Sequence, residues 1–331
     1  MRRQARLDAP GALHHVMIRG IEGTAIFRNG EDREDFLARV ERIVEAGALS
    51  VYAWALLDNH VHLLIRTGRQ SLSLSMRRLL TGYVINFNRR RGRQGYLFQN
   101  RYKSILCEDD PYLLELTRYI HLNPIRAGIV KSIKGLASYP WTGHGVLLGR
   151  AERRWQDTGA VLGYFGRRRK EAVEKYEEYV AEGMGQGRRP ELVGGGLVRS
   201  RGGWSAVLSQ RRRGDREASD ERILGSGAFV ERVIEEAEEG IKEALQLRKR
   251  LGDLETLLRA VARGEGVVEG EIRGGSQRRE VVRARALMCQ VAVKRMGYSG
   301  ARVARFLGVT TSTVNRIAGR DEIDDLERYV R

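Results

Sequence analysis

Two β-rich runs, Val51–Leu57 and His60–Arg66, stand two residues apart, with only Asp58-Asn59 between them. So short a connection leaves room for a tight turn, and the runs are expected to pair antiparallel as a hairpin. The surrounding chain supplies partners for it. His15, Met17 and Arg19 alternate with Val16 and Ile18, which predicts a strand over 12–19. Phe36, Leu37, Val40, Ile43 and Val44 recur at helical spacing across 31–46, as do Leu72, Met76, Leu79, Leu80, Tyr83, Val84 and Phe87 across 72–89. A short strand is expected over 102–106. Asp110-Pro111 opens a last helix, which Pro124 stops near Leu122. The order βαββαβα predicts an α+β fold: a ferredoxin/RRM-like antiparallel sheet with helices on one face.

At 331 residues the chain is long enough for two modest cores. Residues 1–145 read as a catalytic domain, 146–218 as a basic, Gly-rich connector, and 219–331 as a helical domain. The connector carries Arg167-Arg168-Arg169-Lys170, Gly194-Gly195-Gly196 and Arg211-Arg212-Arg213, stretches poorly suited to burying surface. Fifty-nine Lys and Arg against 42 Asp and Glu give a net charge of +17. Residues 1–150 hold 23 basic and 13 acidic side chains, 151–218 hold 15 and 10, and 219–331 hold 21 and 19, so the excess lies ahead of residue 219. Such an excess suits a polyanion such as nucleic acid; the strong preference for Arg over Lys also fits an Arg-favouring genome. Apolar runs reach only about seven residues, short of the ~20 that span a bilayer. No apolar segment follows the basic start, so no signal peptide is expected. Cys107 and Cys289 are too few for a disulfide framework or a zinc site, and a reducing cytoplasm, at the nucleoid, is the expected location.

Two spacings carry chemistry. His60-Val61-His62 lies on a predicted strand, where side chains two apart share a face and both imidazoles can reach one cation. On its own the pattern also fits two polar residues on a solvated face. Tyr119 and Asn123 stand four apart on a predicted helix and project together. Asn123 can add a hard oxygen to the two imidazoles, and that donor set, without thiolate, suits Mg²⁺ or Mn²⁺. A lone Tyr on a helix is otherwise an ordinary amphipathic residue.

Asp58-Asn59-His60-Val61-His62-Leu63-Leu64 and Arg118-Tyr119-Ile120-His121-Leu122-Asn123-Pro124-Ile125-Arg126-Ala127-Gly128 resemble the two signatures of single-tyrosine HUH transposases, in the REP-associated tyrosine transposase branch. Pro10–Val16 and Gly95–Lys103 are similar to the same branch, so the resemblance covers about residues 1–145. It implies an HUH nuclease domain in which His60 and His62 bind metal with Asn123, and Tyr119 is the nucleophile. It also implies cleavage and rejoining of single-stranded or hairpin DNA through a 5′-phosphotyrosine. A divalent ion would polarise the scissile phosphate for a phenol that is otherwise a poor nucleophile. His121 falls on another helix face and stays outside the expected site.

Arg89, Arg90, Arg101 and Lys103 are the expected DNA-binding cations near this site. Interleaved Tyr83, Phe87, Tyr96, Phe98 and Tyr102 either stack on bases or fill the core. Towards the C-terminus, residues 298–317 read as helix-turn-helix. Val303, Ala304 and Leu307 pack one helix, Gly308 turns, and Thr311, Ser312, Thr313, Asn315 and Arg316 face a DNA groove. This stretch resembles the DNA-binding domain of the replication initiator DnaA. The expected partner is DNA, without membrane, for a monomer or homodimer. The alternatives are a non-catalytic DNA-binding regulator and a replication-initiator-type HUH nuclease; an RNA-binding module is more distant.

Overall fold

The computed structural model describes residues 7, 11–68, 70–99, 102–187, 189, 192, 220, 222–320 and 322–329. The chain divides into two compact units, Met1–Arg232 and Val233–Arg331.

The first unit is built on β1 (Leu13–Arg19), β2 (Leu49–Leu56), β3 (His60–Thr67), β4 (Lys103–Cys107) and β5 (Ile223–Leu224), in the order β2-β3-β1-β4-β5. The first four strands pair antiparallel, with β1 and β3 adjacent in the interior; β5 joins β4 in parallel. Asp58-Asn59 forms the expected tight turn, closed by Leu57 N–H donating to the His60 carbonyl at 2.9 Å. The ladder places Ala55, His62, Met17 and Lys103 in one row across four strands.

Val16, Ile18, Val61, Leu63 and Ile65 pack under α1 (Gly30–Glu45) and α2 (Leu72–Arg91). Residues of opposite parity, Leu13, Ala53, Ala55, Leu64, Ile105 and Cys107, pack under Leu113, Leu116 and Ile120 of α3 (Asp109–His121). Helices therefore cover both faces, not one. The reason is written in β2, where 49 and 51–56 are all buried. A strand apolar at both parities requires cover on both sides.

The expected connector also starts later than its glycines and charge runs suggest. Trp141 to Asp157 closes the outer edge of β2: Leu56 N–H donates to the Trp141 carbonyl (2.8 Å), Gly143 N–H to Trp54 (2.9 Å) and Asp157 N–H to Val51 (2.8 Å). Buried Gln156 fastens this strap, accepting from the Trp54 indole at 2.8 Å and donating to the Tyr52 carbonyl at 3.1 Å. The strap protects an edge that would otherwise offer unpaired backbone to another chain. Residues 169–182 form a helix whose Ala172, Tyr176 and Val180, one helical turn apart, are buried. Gly194-Gly195-Gly196 and Arg211-Arg212-Arg213 lie outside the described residues.

Behind α3 lies a polar core. The Tyr176 hydroxyl sits 2.7 Å from His121 Nδ1 and 2.8 Å from His144 Nδ1, and all three side chains are buried. One hydroxyl proton cannot serve two lone pairs, so one imidazole accepts from Tyr176 and the other donates to it. In the second unit, Leu257, Leu258, Val261, Leu287, Met288, Val303, Leu307 and Val314 form a separate helical core. Cys107 and Cys289 are buried free thiols. No described helix is long and apolar enough to cross a membrane.

Burial, with the nearby Arg150 charge, pulls the His144 pKa down to about 4 from an ordinary 6.5. The unfolded chain then binds a proton that the folded chain refuses. The titration of His144 adds no pH dependence to stability well above pH 6.5 and becomes destabilising as pH falls from 6.5 towards 4, by about 3 kcal/mol across the window. Urea unfolding at stepped pH should show this loss, and H144Q should remove the His144 share of it, leaving the part due to His60, His62 and His121. A wild-type slope in H144Q would contradict the assignment.

Candidate functional site

The face of the sheet under α3 collects the chemistry. His60 and His62 come from β3, His15 from β1 and Tyr119 from the last turn of α3. The His60 and His62 rings are 5.1 Å apart between centroids. Tyr119 meets His62 edge-on at 6.0 Å and His15 at 6.1 Å. The register sets His15 opposite Leu64, diagonal to His62 on the same face. There the His15 ring stacks on His62 at 5.2 Å, and its Nε2 lies 2.9 Å from His62 Nδ1.

Both strand histidines are oriented through Nδ1. His60 Nδ1 lies 2.6 Å from Asn59 Oδ1, so it carries the proton and donates. Asn59 is fixed in turn, its Nδ2 donating to the Gly23 carbonyl at 3.1 Å. His62 Nδ1 has His15 Nε2 as its partner, and when His62 donates, its own Nε2 keeps the lone pair. Burial first, then Arg19, lowers the His60 pKa. Burial, then charge on His15, His60 and Arg126, holds His62 well below the ordinary range. Both imidazoles are thus neutral at neutral pH, with Nε2 atoms suited to a cation. Metal-binding histidines usually show this arrangement, with the other ring nitrogen donating to a fixed acceptor.

Asn123 is buried where the chain passes from α3 into a short helix over Asn123–Arg126; Pro124 opens that helix rather than only closing the last. Its Nδ2 donates to the carbonyls of Tyr119 (3.1 Å) and Ile120 (3.3 Å). The donor half of the amide is committed to the helix end, and the oxygen is the half left for a ligand. Among the described residues no three His, Cys, Asp or Glu side chains are grouped to hold a metal ion. A divalent cation here would therefore depend on His60, His62 and an oxygen donor outside that set, and the Asn123 amide has the right chemistry.

Arg126 completes the surroundings of Tyr119. Its guanidinium carbon lies 4.7 Å from the Tyr119 ring centroid, Nη1 donates to the Tyr119 carbonyl at 2.7 Å, and Nε donates to the Gly187 carbonyl at 2.8 Å.

The expected DNA-binding cations separate. Lys103 is exposed on β4, in the His62 row and on the site's face. Arg89 is exposed on α2, which packs against the opposite face of the sheet. Arg90 is no free cation: it pairs with buried Asp32 at 3.0 Å and with Asp35 at 3.3 Å. Arg91 joins it on Asp32 at 2.9 Å, so the last turn of α2 is clamped to α1. Burial alone would raise the Asp32 pKa, but hydrogen bonds from the Arg28 N–H, Arg91 and Arg90 outweigh it and hold the carboxyl ionised. Arg101 lies outside the described residues. Tyr83 and Phe87 are core rings, whereas Tyr96 is 85% exposed.

In the second unit, helices Gly300–Leu307 and Thr311–Ala318 are joined through Gly308, whose φ of +67° is the left-handed conformation glycine favours. Val303, Ala304, Leu307, Val314 and Ala318 are buried between them, and Thr311, Ser312 and Arg316 are exposed. Thr313 and Asn315 are half-buried. Thr310 caps the second helix by accepting from the Thr313 N–H at 3.2 Å, and the two hydroxyls lie 2.9 Å apart. Asn315 lies so close to Gly300 that a Cβ there would sit 2.1 Å from its Oδ1. Thr313 thus belongs to the cap of its own helix, and Asn315 lies against the start of the other.

His15, Asn59 and Arg126 were not singled out from the sequence. His15 showed as one member of an alternating strand, and only the β1–β3 register puts it against His62. Asn59 read as a turn residue, and Arg126 as part of a motif.

Residues 11–123, about a third of the chain, match the family described as transposase IS200 like. No curated protein matches the chain. A solved structure of a REP-associated tyrosine transposase bound to a REP hairpin aligns with 47% of this chain and 98% of its own, at 14% identity and a TM-score of 0.36. That likeness is too remote to carry a residue's role across.

If Arg90 is a clamp, R90A should lower unfolding stability by about 1–3 kcal/mol by leaving Asp32 underpaired, while exposed R89A should stay within about 0.5 kcal/mol of wild type. Equal stability of the two variants in urea would refute the distinction.

Proposed function

We propose that the first unit is a metal-dependent DNA strand transferase in which Tyr119 is the nucleophile. The observation that carries this reading is the edge contact of Tyr119 with His62, on the face where His60 and His62 present neutral imidazoles side by side. The transposase IS200 like match over residues 11–123 supports it, since it spans both the His pair and Tyr119.

In this reading His60, His62 and the Asn123 oxygen would hold Mg²⁺ or Mn²⁺. When bound, such a cation supplies Lewis-acid stabilisation of charge on the non-bridging phosphate oxygens. The chain's own residues supply the rest. Asn59 holds His60 in the tautomer that leaves Nε2 available, His62 is left the same way when its Nδ1 donates to His15, and packing of α3 on the sheet presents Tyr119. Its Oη forms a bond to phosphorus as the bond to the 3′ oxygen breaks, and the phenolic proton ends on the released 3′-OH. The product is a 5′-phosphotyrosine that conserves the phosphodiester energy. Attack by another 3′-OH returns the proton to the phenol and rejoins the strand without ATP. That the strand is single-stranded or folded as a hairpin is what the resemblance to REP-associated tyrosine transposases implies. A regulator without catalysis would have no need for neutral imidazoles set against a tyrosine.

Incubation with Mn²⁺ and labelled single-stranded hairpins should give a covalent adduct that survives denaturing electrophoresis. Tyr119→Phe should abolish the adduct, a loss beyond 100-fold, while changing oligonucleotide affinity less than about threefold. An adduct of normal yield in that variant would end the proposal.

The second unit is proposed to read duplex DNA through the exposed ends of its Thr311–Ala318 helix, with Thr311, Ser312 and Arg316 as the contacting side chains. In the full chain, R316A should weaken duplex binding by about tenfold if Arg316 meets a base edge, which is worth roughly 1–3 kcal/mol. Fluorescence anisotropy at fixed salt reads this, and an unchanged affinity would count against groove contact there.

A further inference from the structure

Arg126 is a half-buried cation for which the described residues provide no counter-ion. The two cations that act on it, Arg118 and Arg189, share the carboxylate of Glu115 at 2.6 Å and 3.2 Å. Of the protein groups that act on its charge, Arg189 and Arg118 are themselves cations, and the third is Tyr119. The hydrogen bonds drawn for Arg126 go to neutral carbonyls, of Tyr119 and Gly187. Those two carbonyls fix Nη1 and Nε, and so fix the plane of the fork, while its central carbon lies 4.7 Å from the Tyr119 ring centre. Its charge also reaches His62, whose protonation it opposes.

A guanidinium taken from water without a carboxylate is costly, and such groups persist where an anion completes them. A phosphodiester fits: it is monoanionic and accepts from a guanidinium through two oxygens. We propose that Arg126 is the phosphate clamp of the Tyr119 site, holding a phosphodiester oxygen beside the nucleophile and stabilising the charge that grows there during transfer. This rests on the strand-transfer reading for its catalytic part; the anion site itself follows from the charge balance. The geometry divides the labour. Lewis-acid help is expected from the side of His60 and His62, and Arg126 acts from the α3 side, with Tyr119 in contact with both.

The test uses the full chain as wild type, R126K and R126Q. Single-turnover adduct formation is followed at rising concentrations of a labelled random-sequence single-stranded pool with Mn²⁺. Thermal stability is measured in inorganic phosphate against chloride at equal ionic strength. R126Q should lose about 100-fold or more in the rate at saturation, as when one donor to a developing oxyanion is removed, with half-saturation changed less than about threefold. R126K, which keeps the charge without the fork, should recover at least about tenfold of that loss. Phosphate should stabilise wild type more than R126Q. A saturating rate in R126Q within threefold of wild type overturns the clamp. So does a lost rate with an undiminished phosphate effect, because Arg126 would then only brace the ring. Failure of wild type to form any adduct would overturn the strand-transfer reading instead, and the phosphate comparison alone would then decide whether Arg126 is an anion site.

Discussion

The pairing of β1 with β3 and β4 fixes everything that follows in the first unit. Side chains alternate with a period of two, so a slip of one residue would send His15 and Met17 to the α1–α2 face and Val16 to the other. That slip is strongly opposed, because both faces are packed and each expects its own set of apolar residues. The cost of exposing Val16, Ile18, Leu63 and Ile65, rather than any interaction among the polar groups, holds the histidines where they meet. The polar cluster is small and buried among neutral rings, and it depends on this frame for its geometry.

The site's electrostatics follow from burial in two opposite ways. Desolvation keeps His60 and His62 uncharged and so able to bind a cation. The same desolvation cannot discharge Arg126, whose guanidinium stays protonated, so the cation remains beside Tyr119. One surrounding thus yields lone pairs on the strand side and positive charge on the helix side. Elsewhere in the unit, charge is matched with care: Asp32 takes both Arg90 and Arg91, and Glu115 takes Arg118 and Arg189. The net +17 is therefore no guide by itself to where an anion binds, since several of the arginines that produce it are already paired inside the fold.

The order of strands and helices through residue 122 was legible because hydrophobic period and turn chemistry agree over short stretches. The hairpin at Asp58-Asn59, the helices over 30–45 and 72–91 and the pairing of Tyr119 with Asn123 one turn on are all local facts. Readings failed where an outcome depended on distant partners. Arg90 looked like a free cation because Asp32 is 58 residues away in sequence. Residues 146–187 looked like a connector because charge runs and glycines outweighed Ala172, Tyr176 and Val180, whose burial requires the α3 face to pack against. Thr313 and Asn315, expected at a groove, are half-buried, the Thr313 hydroxyl beside the N-cap Thr310 and the Asn315 side chain beside Gly300.

By itself the sequence determined which residues were candidates for the chemistry: two histidines on one strand face, a phenol near the end of a helix with an amide four residues on, and the short turn that starts the histidine strand. These are consequences of backbone periodicity, which needs no partner. Only the tertiary structure decided that the two faces meet, that His15 is the group behind His62, and that Arg126 stands at Tyr119 with no carboxylate paired to it among the described residues. Each of those is a relation across strand registers or between separate elements. Such relations are set by which apolar faces exclude water together, a quantity that no single stretch of sequence carries.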